Sequence, residues 1–229
     1  WKQSSTARLL SEALLYVSGD NSITFTFVGG GQDVGQLNAF DVEGINPNIK
    51  RKSTVALFSG GLDSLAWVLD ILETTTNDVI LVSHRANPGT TKTQKGIHKR
   101  LMEDYPNRIK YYPFHCTVKN RALEETQRTR IFLYTSVAFS LASIFKEDEI
   151  VVFENGITSI NFAKRADLIN ARASRTTHPK TLHHLKVFYS HIAEKRINIR
   201  HPFLFNTKTD IFYLIHNFKR HDYINSTVT

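Results

Sequence analysis

The sequence TVALFSGGLDS, residues 54–64, decides the fold of this 229-residue chain. A mostly apolar run, Thr54–Phe58, ends at a serine and two glycines, and apolar positions resume at Leu65. This order predicts a buried strand, a sharp turn and a helix. The two glycines allow the backbone to approach a ligand closely because they have no side chain. The N–H groups of such a turn and the start of the next helix form a nest for an anion, so the sequence predicts a polyphosphate site.

The polar residues of this loop indicate how it binds its ligand. The hydroxyl groups of Ser59 and Ser64 add hydrogen-bond donors, whereas the carboxylate of Asp63 would repel a phosphate. We therefore expect Asp63 to hold Mg²⁺ or to polarise the groups around it, and to lie at the loop rather than in the core. A glycine turn followed by a helix-capping Asp or Ser is the simpler alternative. The residues predicted to bind the polyphosphate are Phe58, Ser59, Gly60, Gly61, Leu62, Asp63, Ser64 and Leu65.

Short apolar strands and helices alternate after the loop. The predicted strands are 54–58, 79–83, 109–114 and 150–153, and the predicted helices are 65–72, 93–105 and 130–145. This alternation is typical of an α/β protein with a parallel sheet and helices on both faces. In such sheets ligands bind at the carboxyl ends of the strands, where functional residues are therefore expected.

The first 52 residues have a different pattern. Residues 5–16 have the apolar spacing of an amphipathic helix, and residues 22–28 alternate between polar and apolar as a strand does. Residues 29–50 form a Gly- and Asn-rich connection. We therefore divide the chain into a small α+β N-terminal appendage with its linker, residues 1–52, and a main domain, residues 53–229. Because the first residue is Trp1 rather than Met, we expect a piece of a longer chain.

Composition excludes several classes of protein. Hydrophobic residues make up 41% and charged residues 22%, which excludes a disordered tail. The single cysteine, Cys116, excludes internal disulfides and any zinc site built from several cysteines within these residues, and it indicates a reducing, cytoplasmic location. The apolar stretch 131–145 is shorter than the ~20 residues of a membrane span, so no membrane association is expected. The formal net charge of +8 fits both a solvated basic face and a nucleic-acid partner.

Several later segments extend the pattern of the loop into a family resemblance. The S-G-G-x-D-S loop resembles the PP-loop of the ATP pyrophosphatases, which cleave ATP between the α and β phosphates. With the later segments, the chain from about Val55 onward resembles the 7-cyano-7-deazaguanine synthases. The N-terminal appendage and the R-T-T-H-P segment look more like a divergent branch that includes synthase-like proteins of bacterial anti-phage operons. The segments are Gln127-Arg128-Thr129-Arg130, Glu154-Asn155-Gly156-Ile157, Arg175-Thr176-Thr177-His178-Pro179, Pro202-Phe203 and Thr207-Lys208-Thr209-Asp210.

This resemblance implies a Rossmann-like fold of the adenine nucleotide alpha hydrolase type and an ATP-dependent C–N ligase that uses Mg²⁺. The synthases transfer AMP from ATP to the carboxylate of 7-carboxy-7-deazaguanine and release pyrophosphate. Ammonia then displaces AMP, and two ATP-dependent steps give the nitrile. The resemblance therefore implies that the product of this chain's reaction is an amide or a nitrile.

The resemblance also suggests residues that bind the substrate. Glu154, Asn155 and Gly156 follow a predicted strand, and a carboxylate beside an amide could read the donor and acceptor edge of a purine-like ring. Thr176 and Lys208 complete this predicted site. A simple turn at residues 154 and 155 and a surface position for the lysine are the alternatives.

The residues expected to take part in catalysis carry positive charge or bind phosphate. A guanidinium group of Arg128 or Arg130 would match the substrate carboxylate or the α-phosphate. Arg175 and His178 would stabilise charge as the acyl adenylate forms and collapses. Solvated arginines at a helix start and a structural histidine are the alternatives. With the loop residues, the full set is Asp63, Ser64, Arg128, Arg130, Arg175 and His178.

One family feature is missing from the sequence. The synthases carry a four-cysteine zinc site near their C-terminus, after a Ser-Thr-rich segment. This chain ends in such a segment, Ser226-Thr227-Val228-Thr229, and has no cysteine cluster. We expect the zinc module beyond the last residue, and a branch that has lost zinc is the alternative.

Two other functions stay open at this point. Relatives with this loop modify tRNA, so a tRNA-modifying enzyme is the first alternative. The second is a partner-bound component of a defence complex, in which the activated group passes to a protein amine. Besides ATP and a deazapurine-like substrate, the candidate partners are an operon-encoded protein and a second copy of the chain.

Overall fold

β1 (Ser53–Leu57) is the central strand of a five-stranded parallel sheet, so the predicted α/β class is confirmed and the fold is Rossmann-like. The computed structural model describes residues 3–26, 51–116, 128–160 and 175–227. The other strands are β2 (Asp78–His84), β3 (Ile109–Phe114), β4 (Glu149–Val151) and β5 (Asn198–Arg200), and the order across the sheet is β3-β2-β1-β4-β5. The helices are α1 (Gln3–Ser18), α2 (Leu62–Thr74), α3 (Pro88–Asp104), α4 (Arg130–Ile144), α5 (Gly156–Ser159), α6 (Pro179–Ala193), α7 (Lys208–Asn217) and α8 (His221–Ile224).

Helices cover both faces of the sheet. Val55 of β1 and Ile80 of β2 belong to a core shared with α1, α4 and α6. Ala56 and Leu81, the next residues along these strands, belong to a second core shared with α2, α3 and α7. Because successive side chains of a strand point to opposite faces, burial on both sides explains the almost continuous apolar sequence of β1 and β2.

α1 contributes to the first of these cores. Its buried residues lie on the face that packs against α6, and α1 extends the predicted helix of residues 5–16 by about a turn in all. The division of the chain at residue 52 stays a prediction. The buried residues of α1 are Leu9, Leu10, Ala13 and Val17.

The segment after α1 differs from its sequence pattern. Residues 22–28 alternate as a strand does, but their described part, which ends at Thr26, forms no strand. Instead, Phe25 packs against the first core and the hydroxyl of Ser11 donates a hydrogen bond to the Ile23 carbonyl (3.1 Å). The alternation therefore serves to pack one face of the segment against α1. The predicted loop 29–50 lies outside the described residues.

α4 contains all of the apolar stretch 131–145 except its last residue, Phe145, and is a core helix. Ile131, Ala138 and Leu141 are buried against the sheet. Among the residues that the structure describes, no helix has the length and apolar character needed to cross a membrane.

The sheet grows in two directions from β1. β2 and β3 add on one side, whereas the chain crosses over after β3 and adds β4 and β5 on the other side. The connections that leave β1 and β4 therefore run to opposite faces and open a crevice between the carboxyl ends of these two strands. Ser59–Ser64 follows β1 and Glu154 follows β4, so both predicted segments lie at this crevice.

Candidate functional site

The Ser59–Ser64 loop is a tight turn that is held by its own hydroxyl groups. The Gly61 N–H donates to the Ser59 hydroxyl (3.2 Å), and the Ser64 hydroxyl donates to the Gly61 carbonyl (3.0 Å). Gly61 begins α2 without a side-chain cap. The first N–H groups of α2 therefore stay available to an anion, as the sequence predicts.

Gln94 of α3 fixes this loop from outside. Its side-chain amide donates to the carbonyls of Ser59 (3.2 Å) and His84 (3.3 Å) and so joins the ends of β1 and β2. Gly60 has a φ of +80°, and a Cβ at this position would lie 3.1 Å from the Cγ of Gln94. Both the backbone conformation and the close approach select glycine here. Gln94 was not predicted from the sequence because it lies 35 residues after Ser59.

Asp63 is buried, with only 6% of the residue exposed. Its Oδ2 accepts a hydrogen bond from the backbone N–H of Asn155 (3.0 Å), and its Oδ1 accepts one from the Lys208 ammonium (2.6 Å). The expectation that Asp63 lies outside the core is therefore wrong. Burial of this carboxylate is possible because both oxygens are hydrogen-bonded and a cation lies against it.

Asn155 connects Asp63 to the loop after β4. Its Oδ1 accepts a hydrogen bond from the Thr158 N–H (3.1 Å) and caps α5, while its Nδ2 lies 3.4 Å from Oδ2 of Asp63. The side-chain amide is thus occupied on both sides in this structure. Its predicted contact with a substrate ring stays a prediction.

Gly156 places the segment that carries Lys208. Its N–H donates to the Asn206 carbonyl (2.9 Å), and a Cβ at Gly156 would lie only 2.1 Å from the Leu204 carbonyl oxygen. Any side chain here would push this segment away. The glycine therefore allows the start of α7 to approach Asp63 closely enough for the Lys208 contact.

Glu154 is a carboxyl group poised near neutrality. Burial, together with the facing Asp63 carboxylate, raises the pKa of Glu154 to about 7, although the Lys208 ammonium acts in the opposite direction. At neutral pH this carboxyl is shared between its protonated and ionised forms. It can therefore donate or accept a hydrogen bond, which is typical of functional carboxyl groups.

A cavity of about 250 Å³ lies between the carboxyl ends of β1 and β4. It brings together the phosphate loop, Glu154, Arg130 and Thr176, which were predicted from separate segments. Apolar walls with a few convergent polar groups are typical of a small-molecule site. The lining residues are Leu57, Ser59, Ser64, Arg130, Ile131, Tyr134, Val152, Phe153, Glu154, Thr176 and Thr177.

A smaller cavity of about 140 Å³ continues on the other side of β1. It shares Ser59 and Tyr134 with the first cavity and extends to Val82 of β2 and Phe114 of β3. Its walls are mostly apolar and partly aromatic. The two cavities thus adjoin at Ser59, and only the larger one contains a carboxylate and an arginine.

Arg128, Arg175 and His178 contact α1 instead of lining the 250 Å³ cavity. Arg128 donates to the Ser18 carbonyl (2.8 Å), and Arg175 donates to the Tyr16 carbonyl (3.1 Å) and lies over the Tyr16 ring. The ring of His178 lies 3.1 Å from the Tyr16 hydroxyl and caps α6. Their predicted catalytic roles stay predictions.

Asp63 and Glu154 are the carboxyl groups of the site that could bind a metal ion. Among the residues that the structure describes, no group of three or more His, Cys, Asp or Glu side chains could hold a metal ion. The two facing carboxyl groups of Asp63 and Glu154 supply oxygen atoms that suit Mg²⁺ when phosphate oxygens complete its shell. Because Lys208 occupies Oδ1 of Asp63, a cation at this oxygen would displace the ammonium.

Comparisons with known proteins show a distant structural similarity. No family model and no curated protein match the chain. Among solved structures, it is similar to the NH3-dependent NAD synthetase from Campylobacter jejuni subsp. jejuni NCTC 11168 in complex with the nitrate ion, at 15% identity and a TM-score of 0.43. The match covers 80% of this chain and 72% of that one.

Proposed function

We propose that this chain is an ATP-dependent C–N ligase that transfers AMP to the carboxylate of a 7-carboxy-7-deazaguanine-type substrate and passes the acyl group to a nitrogen nucleophile. The observation that carries the proposal is the place of the Ser59–Ser64 loop. It follows the central strand where the strand order reverses, beside a cavity that also contains Arg130 and Glu154. The resemblance of the sequence to the deazaguanine synthases supports the substrate class.

ATP and the second substrate occupy different cavities, with ATP on the loop and in the smaller one. The N–H groups of the loop and the start of α2 bind the β and γ phosphates, and the apolar cavity against Phe114 and Tyr134 accepts the base. The side chain of Lys208 is 58% exposed, so its ammonium can leave Asp63 and contact the departing pyrophosphate. Mg²⁺, held by Asp63, would neutralise phosphate charge when it is bound.

The substrate lies in the larger cavity. Arg130 binds the substrate carboxylate, and Glu154 reads the edge of the ring. A carboxylate oxygen attacks the α-phosphorus, and the bond to pyrophosphate breaks. The nitrogen nucleophile then attacks the acyl carbon, the bond to AMP breaks, and a proton leaves the nitrogen as the amide forms. A second ATP activates the amide oxygen in the same way and gives the nitrile.

The proposal is tested with the substrate that it names. The protein is incubated with ATP, Mg²⁺, 7-carboxy-7-deazaguanine and an ammonium salt, and products are identified by mass spectrometry. We expect AMP, pyrophosphate and a deazaguanine amide or nitrile. The matched control is Asp63→Asn, because the amide keeps an acceptor for the buried Asn155 N–H and removes the charge. No AMP from folded protein would contradict the proposal.

The acceptor is tested in the same incubation. Substrate-dependent AMP without a small amide or nitrile would indicate a protein or RNA acceptor, as in the defence-complex and tRNA alternatives. Adding an operon-encoded partner or RNA and searching both for the mass of the acyl group would then identify it.

A basic groove beside the site favours a second candidate function, the modification of RNA. The groove has a volume of about 720 Å³ and is lined by Arg85, Lys92, Lys95 and His115, with no carboxylate among its described lining residues. Ala86 lines both the groove and the smaller cavity, so the two adjoin. Basic side chains along an open groove suit the phosphates of an RNA strand.

This second candidate is tested by fluorescence anisotropy with a labelled single-stranded RNA. The charge-reversed variant Lys92→Glu/Lys95→Glu should weaken binding at least tenfold and lower the salt dependence by about 1.4 logarithmic units per decade of salt. The control Lys195→Glu/Arg196→Glu has the same net charge, and both of its residues are exposed between α6 and β5. An equal effect of both variants would contradict binding in the groove.

A further inference from the structure

Two hydroxyl groups and one imidazole form a hydrogen-bonded chain that ends at the 250 Å³ cavity. Thr177 lines this cavity, and its hydroxyl lies 3.0 Å from the hydroxyl of Ser159. The Ser159 hydroxyl lies 3.2 Å from Nε2 of His201. Ser159 and Thr177 are only 1% and 8% exposed. The three residues come from α5, the segment before α6, and the segment after β5, so the chain exists only in the folded protein.

The imidazole at the inner end is suited to receive a proton. Burial lowers the pKa of His201. The Asp63 charge and the backbone of Glu154 favour the protonated ring and so oppose part of this effect. A neutral ring with its proton on Nδ1 presents the lone pair of Nε2 to Ser159. A proton that arrives through Ser159 is then stabilised by the Asp63 carboxylate.

The proposed ligase reaction needs such an acceptor. An amine that adds to the acyl carbon acquires positive charge and must lose a proton before the amide is stable. Glu154 also lines the cavity, but it faces Asp63 and is protonated in part of the molecules at neutral pH. The Thr177 hydroxyl lines the same cavity and is already hydrogen-bonded toward His201.

We propose that Thr177, Ser159 and His201 form a proton relay that removes the proton from the nitrogen nucleophile as AMP departs. This inference rests on the proposed ligase function. Thr177 accepts the proton from nitrogen as its own proton passes to Ser159, and the Ser159 proton passes to Nε2 of His201. The N–C bond forms and the bond from the acyl carbon to AMP breaks. The imidazolium then returns its proton to solvent before the next turnover.

The test separates the two half-reactions. Exchange of labelled pyrophosphate into ATP, dependent on 7-carboxy-7-deazaguanine, measures formation of the acyl adenylate without nitrogen. Single-turnover formation of the amide from ammonium measures the transfer step between pH 6 and 9. The variants are Thr177→Val, which keeps the shape of the side chain, Ser159→Ala and His201→Gln. Thr177→Ser restores a hydroxyl, and Ser136→Ala removes a half-buried hydroxyl that contacts Tyr189 rather than the cavity.

We expect Thr177→Val, Ser159→Ala and His201→Gln to slow the transfer step about 100-fold while pyrophosphate exchange stays within about threefold of the unmodified protein. Thr177→Ser and Ser136→Ala should keep both activities.

Two results would overturn the relay while leaving the ligase proposal intact. One is normal transfer in all three variants, and the other is an equal loss of exchange and transfer, which a purely structural network would produce. A variant that does not unfold cooperatively on heating is left out, and the comparison then rests on Thr177→Val against Thr177→Ser, which differ in the hydroxyl group. If the unmodified protein shows no pyrophosphate exchange, the proposed function itself fails and the relay falls with it.

Discussion

At the scale of single residues, Glu154 links the chemistry of the site to the stability of the fold. Its pKa is about 7 in the folded protein, above the ordinary value of 4.5, so the folded chain holds a proton that the unfolded chain releases between these values. The free energy of unfolding should therefore fall as pH rises through this window, by at most about 3 kcal/mol. Asp63, Lys208 and His201 are the charged or titratable groups near this carboxyl.

Urea denaturation at pH 5, 6, 7 and 8 measures this effect. Glu154→Gln should flatten the dependence, because the amide does not titrate. Glu103→Gln, at an exposed position of α3, should leave it unchanged. An unchanged pH dependence in Glu154→Gln would show that the carboxyl titrates as an ordinary exposed group.

Lys208 has two candidate partners, and a substitution separates them. In this structure its ammonium neutralises Asp63, whereas in the proposed reaction it contacts the phosphates. Lys208→Met should lower the affinity for a non-hydrolysable ATP analogue by about tenfold, because one charged hydrogen bond is lost. Lys208→Arg keeps the charge and should lower this affinity much less. Calorimetric titration measures both, and equal affinities for the Met and Arg variants would contradict a phosphate contact.

At the scale of elements, Arg128 and Arg175 stabilise the end of α1. The last turn of this helix contains no basic residue, and the two guanidinium groups donate to the carbonyls of Ser18 and Tyr16. Positive charge at a helix C-terminus opposes the negative end of the dipole, so Arg128→Met/Arg175→Met should reduce stability by about 1 kcal/mol. Amide hydrogen exchange of α1 should accelerate. Arg8→Met, which removes a charge from α1 without touching these carbonyls, is the control.

The variant Arg128→Met/Arg175→Met also decides between a structural and a catalytic role for these two arginines. Pyrophosphate exchange that is lost while α1 keeps its normal amide protection would establish the catalytic role predicted from the sequence. Exchange that survives while α1 loosens would establish the structural one.

The elements that could be predicted from the sequence are those whose signal is local. β1 and α2 follow from one apolar run and a glycine turn, and α4 from a long apolar stretch. β5 has only three residues, and its pairing with β4 has no local pattern that distinguishes it from a turn. In the described part of the predicted strand, which ends at Thr26, the alternation reflects packing of Phe25 on the core rather than strand pairing.

The site residues likewise divide into those with a local signal in the sequence and those without one. The Ser59–Ser64 loop is contiguous in sequence, and its residue types alone indicate an anion nest. The contacts of Asp63 with Asn155 and Lys208 join residues that are 92 and 145 positions apart. Thr177 lies in the quoted segment Arg175–Pro179, but Ser159 and His201 belong to no motif, and only the packing of α5 and α6 beside β5 brings the three together. Residue types can thus nominate a site, whereas its electrostatics depend on partners that the order of the chain does not reveal.

At the scale of the whole molecule, α1 determines whether residues 1–52 are an appendage or part of the domain. Its four buried residues contribute to the core shared with α4 and α6, and truncating one buried Leu to Ala costs about 2–5 kcal/mol. Since a domain has a total stability of only about 5–15 kcal/mol, a chain of residues 53–229 should unfold at least about 10 °C lower or fail to fold.

Differential scanning calorimetry of residues 53–229 and of the full chain tests this expectation. Leu9→Ala/Leu10→Ala keeps the helix and should show a smaller shift in the same direction, while Arg8→Met on its exposed face should show none. The result also bears on a protein partner. If truncation destabilises the chain, a loss of partner binding in the truncated chain does not show where the partner binds. Substitutions on the exposed face of α1 would then test whether this face is the binding surface. A truncated chain that unfolds cooperatively at the temperature of the full chain would establish residues 1–52 as a separable appendage.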